Sequence, residues 1–320
     1  MDQESKKVTV LMAVYNGQKY LAEAIESVLN QTLTDFEFLI IDDASTDKTP
    51  EILKFFVEKD QRIVIFRNEI NIGLTKSLNI GLKKARAKYI ARLDADDIAL
   101  PDRLKTQLDF LESSPRVTLV GSFAEIIDKN GQSLGVRKVV TESEVIKFEL
   151  ILRNCFFHSA VFFRKGVVLT TGGYNESFRH AQDFELFSRL SEKHSLANIA
   201  RPLIKLRVHG ESVVAMSGSQ QIVHQNTLKI IRGGISRYTG INSEEFDVFR
   251  EISLSREIPK RIKFKDLFTA LRINRLILEN FVDREGTKGA ELSKIFGRYR
   301  ARRGQIIRRF IVSLKRRILE

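Results

Sequence analysis

Tyr89–Asp97 read YIARLDADD, a mostly apolar run that ends in three acidic residues within four positions. The run Tyr89–Leu93 predicts a buried strand. Three carboxylates at this spacing repel one another, so the fold has to place a cation or solvent beside them. Carboxylate oxygens are also the ligands that Mg²⁺ and Mn²⁺ prefer in proteins. The stretch therefore predicts a metal site at the end of a strand, with a solvated acidic turn before the next helix as the ordinary alternative.

Strand and helix patterns alternate on both sides of that stretch. The predicted strands are Val8–Val14, Phe36–Ile41, Arg62–Phe66, Tyr89–Leu93 and Val117–Ile127, and the predicted helices are Gln18–Asn30, a helix from Pro50, Leu74–Ala87 and Pro101–Glu112. Such alternation is typical of βαβ units, so we expect an α/β fold with a mainly parallel sheet. In such sheets ligands bind beyond the carboxyl ends of the strands.

Polar residues follow four of these strands and are expected to line one rim of the sheet. They are Tyr15-Asn16, Asp42-Asp43, Asn68 to Asn71 and Asp94 to Asp97. A carboxylate at the position of Asp43 can accept a hydrogen bond from the N3–H of a uracil or from a ribose hydroxyl. Ser45, Thr46 or Asp47 would simply cap the following helix.

The pattern changes after residue 130. We predict a helix at Glu142–Leu152, a strand at Phe156–Phe163 interrupted by His158-Ser159, a helix at Asp183–Leu190 and a strand at Leu203–Val208. Residues 220–239 are polar with helical patches, and the remaining tail has a strongly helical pattern.

Composition excludes several classes of protein. Of 320 residues 43% are hydrophobic, which is typical of a globular chain, and Cys155 is the one cysteine, so no internal disulfide forms. The chain has no secretory signal pattern and no apolar run of about 20 residues, so we expect a cytoplasmic protein. Motifs of P-loop, dinucleotide-binding and zinc-protease sites are also absent from the sequence.

Several segments, in this order and spacing, closely resemble the family 2 glycosyltransferases of GT-A fold, of the kind that makes bacterial polysaccharides. They are Val8–Gly17, Ser27–Thr32, Phe36–Asp47, Asn71–Leu74, Tyr89–Asp97 and Pro101–Leu104. The resemblance extends over roughly residues 7–212. It implies inverting transfer of a sugar from a nucleotide-sugar, with Mn²⁺ or Mg²⁺ as cofactor.

The resemblance also implies a role for particular residues in donor binding. It places Ala13 and Tyr15 in the base pocket, Asp43 on the base, Asn71 and Lys76 near the nucleotide, Asp94 on the ribose and Asp96 on the metal as its principal ligand. His209, in a segment that resembles the family's Arg-x-His, would be a third metal ligand or a phosphate donor. His158 lies in a segment that resembles the acceptor-side strand and would contact donor or acceptor.

Asp183 is the general base that the resemblance implies. Residues 181–186 read AQDFEL and resemble the family's acidic motif at the start of a helix, although the family more often has Glu where this chain has Gln182. A carboxylate there would take the proton of the acceptor hydroxyl as its oxygen attacks the anomeric carbon. The ordinary alternative for Asp183 is helix capping.

The C-terminal tail carries nearly all of the excess charge. The net charge is +13, and residues 256–320 contain 19 Lys/Arg against 7 Asp/Glu. Basic residues (Arg298, Arg302, Arg303, Arg308, Arg309, Lys315, Arg316, Arg317) interleave there with apolar ones (Ile306, Ile307, Phe310, Ile311, Leu314, Ile318). The amphipathic pattern favours an anionic membrane surface as the partner, over packing on the catalytic domain or over nucleic acid.

These observations predict a catalytic domain over residues 1–215, with nucleotide-binding residues about 7–130 and acceptor residues about 131–215, and a basic helical region over 216–320. The expected activity is metal-dependent transfer from a nucleotide-sugar, UDP being the favoured nucleotide, to a lipid-linked glycan at the inner face of the cell membrane. An inactive transferase-like adaptor for membrane or nucleic acid is the alternative, and a nucleotidyltransferase is disfavoured because no glycine-rich basic loop follows the first strand.

Overall fold

A computed structural model describes residues 6–209, 219–255, 258–259 and 262–319, and contacts within the chain divide it into two units. The first unit comprises residues up to Leu150 together with Asn154–Thr227, and the second comprises Ile151–Arg153 with the residues from Leu228 onward. All of the site residues predicted from the sequence belong to the first unit.

Nine strands form the sheet of the first unit within the described residues. They are β1 (Val8–Val14), β2 (Phe36–Asp42), β3 (Ile63–Arg67), β4 (Tyr89–Arg92), β5 (Ile98–Ala99), β6 (Val117–Ile127), β7 (Ser133–Arg137), β8 (Phe162–Arg164) and β9 (Ser195–Arg207). Their order is β3-β2-β1-β4-β8-β6-β9-β5, and β7 pairs with β6. Neighbours among β1 to β4 pair in parallel, whereas β8 is antiparallel to both β4 and β6. The predicted α/β fold with a mainly parallel, mixed sheet is therefore confirmed.

Seven helices of the first unit lie between these strands: α1 (Leu21–Leu29), α2 (Thr49–Lys59), α3 (Leu74–Lys84), α4 (Arg103–Ser113), α5 (Ser143–Glu149), α6 (Lys165–Thr170) and α7 (Gln182–Leu190). α2 begins where the Asp47 carboxylate accepts the N–H of Thr49 at 2.9 Å, so Asp47 is the residue that stabilises this helix start. Its other carboxylate oxygen accepts the N–H of Gln18 at 3.0 Å and fixes the loop after β1.

The core of the first unit lies around β1 and β2, which are buried at every position. α1 covers them with a stripe at helical spacing, formed by Leu21, Ala24, Ile25 and Val28. Each fully buried aliphatic side chain of this kind contributes about 1.5–3 kcal/mol. The continuous apolar runs that predicted these strands are therefore buried in the core. They make the sheet rigid enough to hold polar groups at its rim.

The predicted strand Phe156–Phe163 is wrong for most of its length. Residues His158–Ala160 form a 3₁₀ turn, and the strand β8 begins only at Phe162. The physical reason is a hydrogen bond: the turn brings the Ser159 hydroxyl to the amide N–H of Asp94, which donates to it at 2.8 Å. The interruption at His158-Ser159 is therefore the element that supports the acidic stretch after β4.

The second unit is helical in the described residues, as the pattern of the tail predicts. It contains most of α8 (Ser219–Tyr238), then α9 (Ser243–Phe249) with a following π-helical turn, α10 (Phe264–Glu285) and α11 (Gly289–Leu319). On α11 the side chains of Ile306 and Phe310 are buried, so part of its apolar stripe packs within the unit. Among the described helices we find none with an apolar stretch that would reach across a bilayer.

Candidate functional site

The acidic loop, Asp94 to Asp97, follows β4 at the carboxyl end of the strand. Oxygen atoms of Asp94, Asp96 and Asp97 lie within 4.8 Å of one another. Asp97 is buried and accepts the backbone N–H of Arg207 at 2.8 Å, whereas the side chains of Asp94 and Asp96 are about one third exposed. One carboxylate thus anchors the loop, and the other two face the open side of the rim.

Asp96 and His209 meet although 113 residues separate them in sequence: the imidazole Nε2 lies 2.9 Å from a carboxylate oxygen of Asp96. Burial and the neighbouring charge of Asp94 raise the pKa of Asp96, and His209 opposes that rise. A divalent cation would relieve the same repulsion, so carboxylates held this close favour one. The residues present fit Mn²⁺ or Mg²⁺, with Asp96 and His209 as the pair that would hold it.

Arg92, which sequence reasoning did not single out, lies beneath the acidic loop. Its side chain is almost completely buried, at 1% exposure, and its guanidinium forms an ion pair with Asp94. Burial disfavours the charged form of Arg92. The negative charge of Asp94 and the hydrogen bond to it outweigh this effect, so the pKa of Arg92 is raised. Among the described residues, its Nε and Nη1 atoms are buried and have no hydrogen-bond partner.

Asp43 holds the loop between β3 and α3. Its carboxylate accepts the side-chain amide of Asn68 at 2.7 Å and the backbone N–H groups of Ile72 and Gly73 at 3.0 and 2.8 Å. The residue is 3% exposed, so these bonds replace those that water would make. Asp43 therefore positions the segment that contains Asn71, in addition to the role in base binding that the resemblance implies.

Removal of the Asp43 carboxylate is expected to destabilise the fold. Asp43→Ala would leave two backbone N–H groups without their acceptor and would leave the Asn68 amide with only the Ser77 hydroxyl, at a cost of about 1–3 kcal/mol in the free energy of unfolding. Urea unfolding followed by circular dichroism measures this cost. The matched control is Asp109→Ala, because Asp109 is an exposed carboxylate on α4. Equal unfolding free energies for the two variants would contradict the positioning role.

The remaining donor residues predicted from the sequence lie along the same part of the first unit. Ala13 is buried within β1, and Tyr15 follows that strand with half of its side chain exposed. Asn71 precedes α3 and Lys76 lies in its first two turns, and both are exposed. The structure thus places a buried residue and three exposed ones where the parallel strands end.

Backbone strain is concentrated at this rim. The non-glycine residues with positive φ in the described chain are Asn16, Ala44 and Ala181, with φ between 52° and 61°. Each costs roughly 1–2 kcal/mol for a residue with a Cβ atom. Asn16 follows β1, Ala44 follows β2, and Ala181 precedes α7, so all three lie next to predicted site residues.

Asp183 is the second residue of α7, and its carboxylate accepts a hydrogen bond from the side-chain amide of Asn154 at 2.8 Å. The surrounding protein desolvates its carboxylate and raises the pKa of Asp183, while a backbone N–H, the charge of Arg92 and the Asn154 amide oppose the rise. A carboxylate whose pKa is raised toward neutral pH is a stronger base, which suits proton abstraction. The geometry is consistent with the role of base and shows Asn154 as a partner that the sequence did not reveal.

His158 is held by Tyr174: its Nε2 lies 2.8 Å from the tyrosine hydroxyl. Desolvation, followed by the charge of Arg92, lowers the pKa of His158 well below its usual value. The imidazole is therefore neutral at physiological pH, and it can serve as a hydrogen-bonding group rather than as a cation.

Arg207, the last residue of β9, contacts the acidic loop. Its side chain is 2% exposed, it donates to the backbone oxygen of Asp96 at 3.0 Å, and it forms an ion pair with Glu23. The guanidinium carbon also lies 4.5 Å from the ring centroid of Tyr20. The segment that resembles Arg-x-His thus uses its arginine to fix the loop and its histidine to contact Asp96.

Comparison with known proteins shows which family the sequence matches. Residues 9–170, about half of the chain, match the protein family described as "Glycosyl transferase family 2". An uncharacterised glycosyltransferase of Haemophilus influenzae is 31% identical over 258 residues, with 77% of this chain and 79% of the relative covered. The O-antigen biosynthesis glycosyltransferase WbnJ of Escherichia coli is 33% identical, with 64% and 81% covered.

A solved structure shares the fold. The crystal structure of S. aureus TarS, residues 1–349, in complex with UDP-GlcNAc superimposes with a TM-score of 0.63. The sequence identity is 18%, and 96% of this chain and 90% of that one are covered. At this identity the likeness concerns the architecture alone.

Proposed function

This chain belongs to glycosyl transferase family 2, and we propose that it transfers a sugar from a UDP-sugar to a glycan acceptor with inversion at the anomeric carbon. The observation that carries the proposal is that Asp94 of the acidic loop and Asp183 both lie close enough to the buried side chains of Arg92 and Tyr174 to interact with them. Burial raises the pKa of Tyr174, and the charges of Asp183 and Asp94 add to that rise while Arg92 opposes it. Asp94, on the donor side of the proposed reaction, and Asp183, on the acceptor side, therefore both interact with Tyr174 and Arg92.

Asp183 performs the proton transfer in the proposed mechanism. Its carboxylate takes the proton of the acceptor hydroxyl, the hydroxyl oxygen forms a bond to the anomeric carbon, and the bond from that carbon to the diphosphate oxygen breaks. The bonding electrons leave with the diphosphate. Asp96 and His209 would hold a divalent ion, which would neutralise the negative charge of the leaving group. Tyr15 and Asp43 orient the nucleotide so that the anomeric carbon faces Asp183.

Several observations support the choice of donor and acceptor. TarS, which shares the fold, was solved with UDP-GlcNAc, and WbnJ is named for O-antigen biosynthesis. We therefore propose a UDP-sugar as donor and a growing cell-surface polysaccharide, carried on a lipid, as acceptor. The basic helices of the C-terminal region would bind the anionic surface in which such a lipid resides. The catalytic region would extend over residues 1–215 and the basic region over 216–320.

The test of this proposal is a donor panel. Release of nucleoside diphosphate from UDP-, GDP- and TDP-sugars would be measured with and without Mn²⁺, using wild type, Asp96→Ala and Asp183→Asn. We expect turnover of a UDP-sugar by wild type alone. Failure to bind or consume any donor under every metal condition would overturn the proposed activity.

The pH dependence of kcat/KM is expected to report Asp183 directly. Because the base works in its ionised form, the rate falls as pH decreases through the pKa of Asp183, which desolvation holds above the usual value near 3.9. The hydrogen bond from Asn154 lowers that pKa. In Asn154→Ala the acid limb of the profile should therefore move to higher pH.

The matched control for that shift is Asn130→Ala, since Asn130 is an exposed amide in a turn of the first unit. Asp96 and Asp97 also have raised pKa values, but their largest causes after burial are acidic neighbours rather than Asn154. If the acid limb of the kcat/KM profile does not shift in Asn154→Ala, the limb reports the acidic loop and not Asp183.

A further inference from the structure

Two phenylalanines at the start of α10 are the most exposed aromatic side chains among the described residues. Phe264 is 63% exposed and Phe268 is 66% exposed. They are four residues apart, so they project from the same face of the helix, one turn from each other. Large apolar side chains grouped on a surface in this way mark a place where another apolar phase makes contact.

Contacts with α11 fix the position of this pair. The ring of Phe264 lies against the ring of Phe310, with centroids 4.9 Å apart. The hydroxyl of Ser313 accepts the N–H of Ile262 at 3.0 Å, so the end of α11 lies beside the start of α10. Ile311, on the same helix as Phe310, is 44% exposed and adds apolar surface to this end of the unit.

Exposed cations belong to the same end of the two helices: Lys263, Lys265, Lys315 and Arg316. Between Ile262 and Arg272 the sequence contains one acidic residue, Asp266, and its carboxylate accepts the N–H of Lys263 at the start of α10. Exposed cations are therefore close in sequence to the apolar residues on both helices. That combination matches an anionic lipid surface, in which headgroups attract the cations and acyl chains accept the rings.

We propose that Phe264 and Phe268 insert into the interfacial layer of an anionic membrane, while the four cations contact lipid headgroups. The proposal rests on the membrane association proposed above and gives it a location. It also changes the expected surface: Ile306 and Phe310 of the α11 stripe are buried, so the inserted side chains come from the first turns of α10 instead of these two residues.

A single tryptophan provides a direct test, because the chain contains no tryptophan. Phe268→Trp in the full chain is expected to shift its fluorescence to shorter wavelength on phosphatidylglycerol-containing vesicles and to be quenched by brominated lipid. Phe55→Trp is the matched control, since Phe55 is 50% exposed on α2 and has a lysine, Lys59, over its ring. We expect no shift for the control. Equal spectra of Phe268→Trp with and without vesicles would overturn the proposal.

Vesicle co-sedimentation measures the contribution of the pair to binding. Phe264→Ser/Phe268→Ser is expected to bind anionic vesicles at least about 10-fold more weakly than wild type, because two rings lose their apolar contact. Its remaining binding should disappear at high salt, whereas wild type keeps a salt-resistant part. Phe268→Ser alone is the second variant, because Phe264 packs on Phe310 and its replacement disturbs that contact.

The outcomes separate this inference from the proposed function. Wild-type binding to anionic vesicles with no loss in the Phe variants would overturn the insertion of the pair and leave the proposed activity standing. Donor turnover in the absence of vesicles should be the same in wild type and in the double variant, and it tests the activity by itself. If the double variant instead changes the oligomeric state in sedimentation velocity and not vesicle binding, the surface is an interface between copies and the proposal is wrong.

Discussion

Asp183→Asn is expected to lower the rate of sugar transfer by about 10²–10⁴-fold, the range that a positioned general base contributes. The asparagine has nearly the same shape and can still accept the amide of Asn154, which donates to Asp183 at 2.8 Å. It cannot take a proton, so the acceptor hydroxyl would have to attack without a base. The loss should appear in the chemical step and not in folding.

Two measurements distinguish loss of the base from general damage. Calorimetric affinity for the donor should change little, because the proposed nucleotide-binding residues belong to segments other than α7. The melting temperature should match that of Asp109→Asn, a control in which an exposed carboxylate of α4 is replaced. If Asp183→Asn transfers sugar at the rate of wild type, another group is the base.

Several strands of the sheet could be predicted from sequence because their pattern is local. β1 and β6 begin and end at the predicted residues, since each is a run of β-branched and apolar side chains that a strand buries. The rule that ligands bind beyond the carboxyl ends of strands then placed Asp43 and Asp94 at one rim. Local pattern and general topology together were sufficient for that part of the site.

The residues that hold the acidic loop in place could not be predicted from sequence because they depend on contacts between distant segments. Arg207 contacts the backbone of Asp96 from 111 residues away, and Ser159 accepts the N–H of Asp94 from 65 residues away. A buried arginine also has no signature in sequence: Arg92 reads as one polar residue inside a strand. β7, exposed along its whole length, and the two-residue β5 likewise depend on pairing with partner strands.

Asp96→Asn is the second substitution with a large expected effect: transfer should fall by about 10³-fold. A bound divalent ion supplies several kcal/mol of stabilisation to the developing negative charge, and each 1.4 kcal/mol is a tenfold change in rate. Because Asp96 contacts His209 and its side chain is one third exposed, its carboxylate is the metal ligand that we propose and the one whose loss should have the largest effect. Calorimetric titration with Mn²⁺ should show binding to wild type and none to the variant.

Thermal unfolding gives a readout of the same site without catalysis. Burial and the charge of Asp94 raise the pKa of Asp96, so at neutral pH its ionised form is less favourable in the folded chain than in the unfolded one. In EDTA the Asn variant should therefore unfold at a temperature no lower than wild type. Added Mn²⁺ should raise the melting temperature of wild type alone, because the ion binds the native state.

The control Asp102→Asn replaces an exposed carboxylate that pairs with Arg201, and it should retain both the Mn²⁺ shift and the activity. The two readouts then test separate statements about Asp96. A variant that loses the Mn²⁺ shift and keeps transfer would show that Asp96 binds an ion the reaction does not need. If Asp96→Asn keeps the Mn²⁺-dependent rise in melting temperature and loses transfer, the metal would be assigned to Asp94 and Asp97. Asp96 would then act on the donor itself.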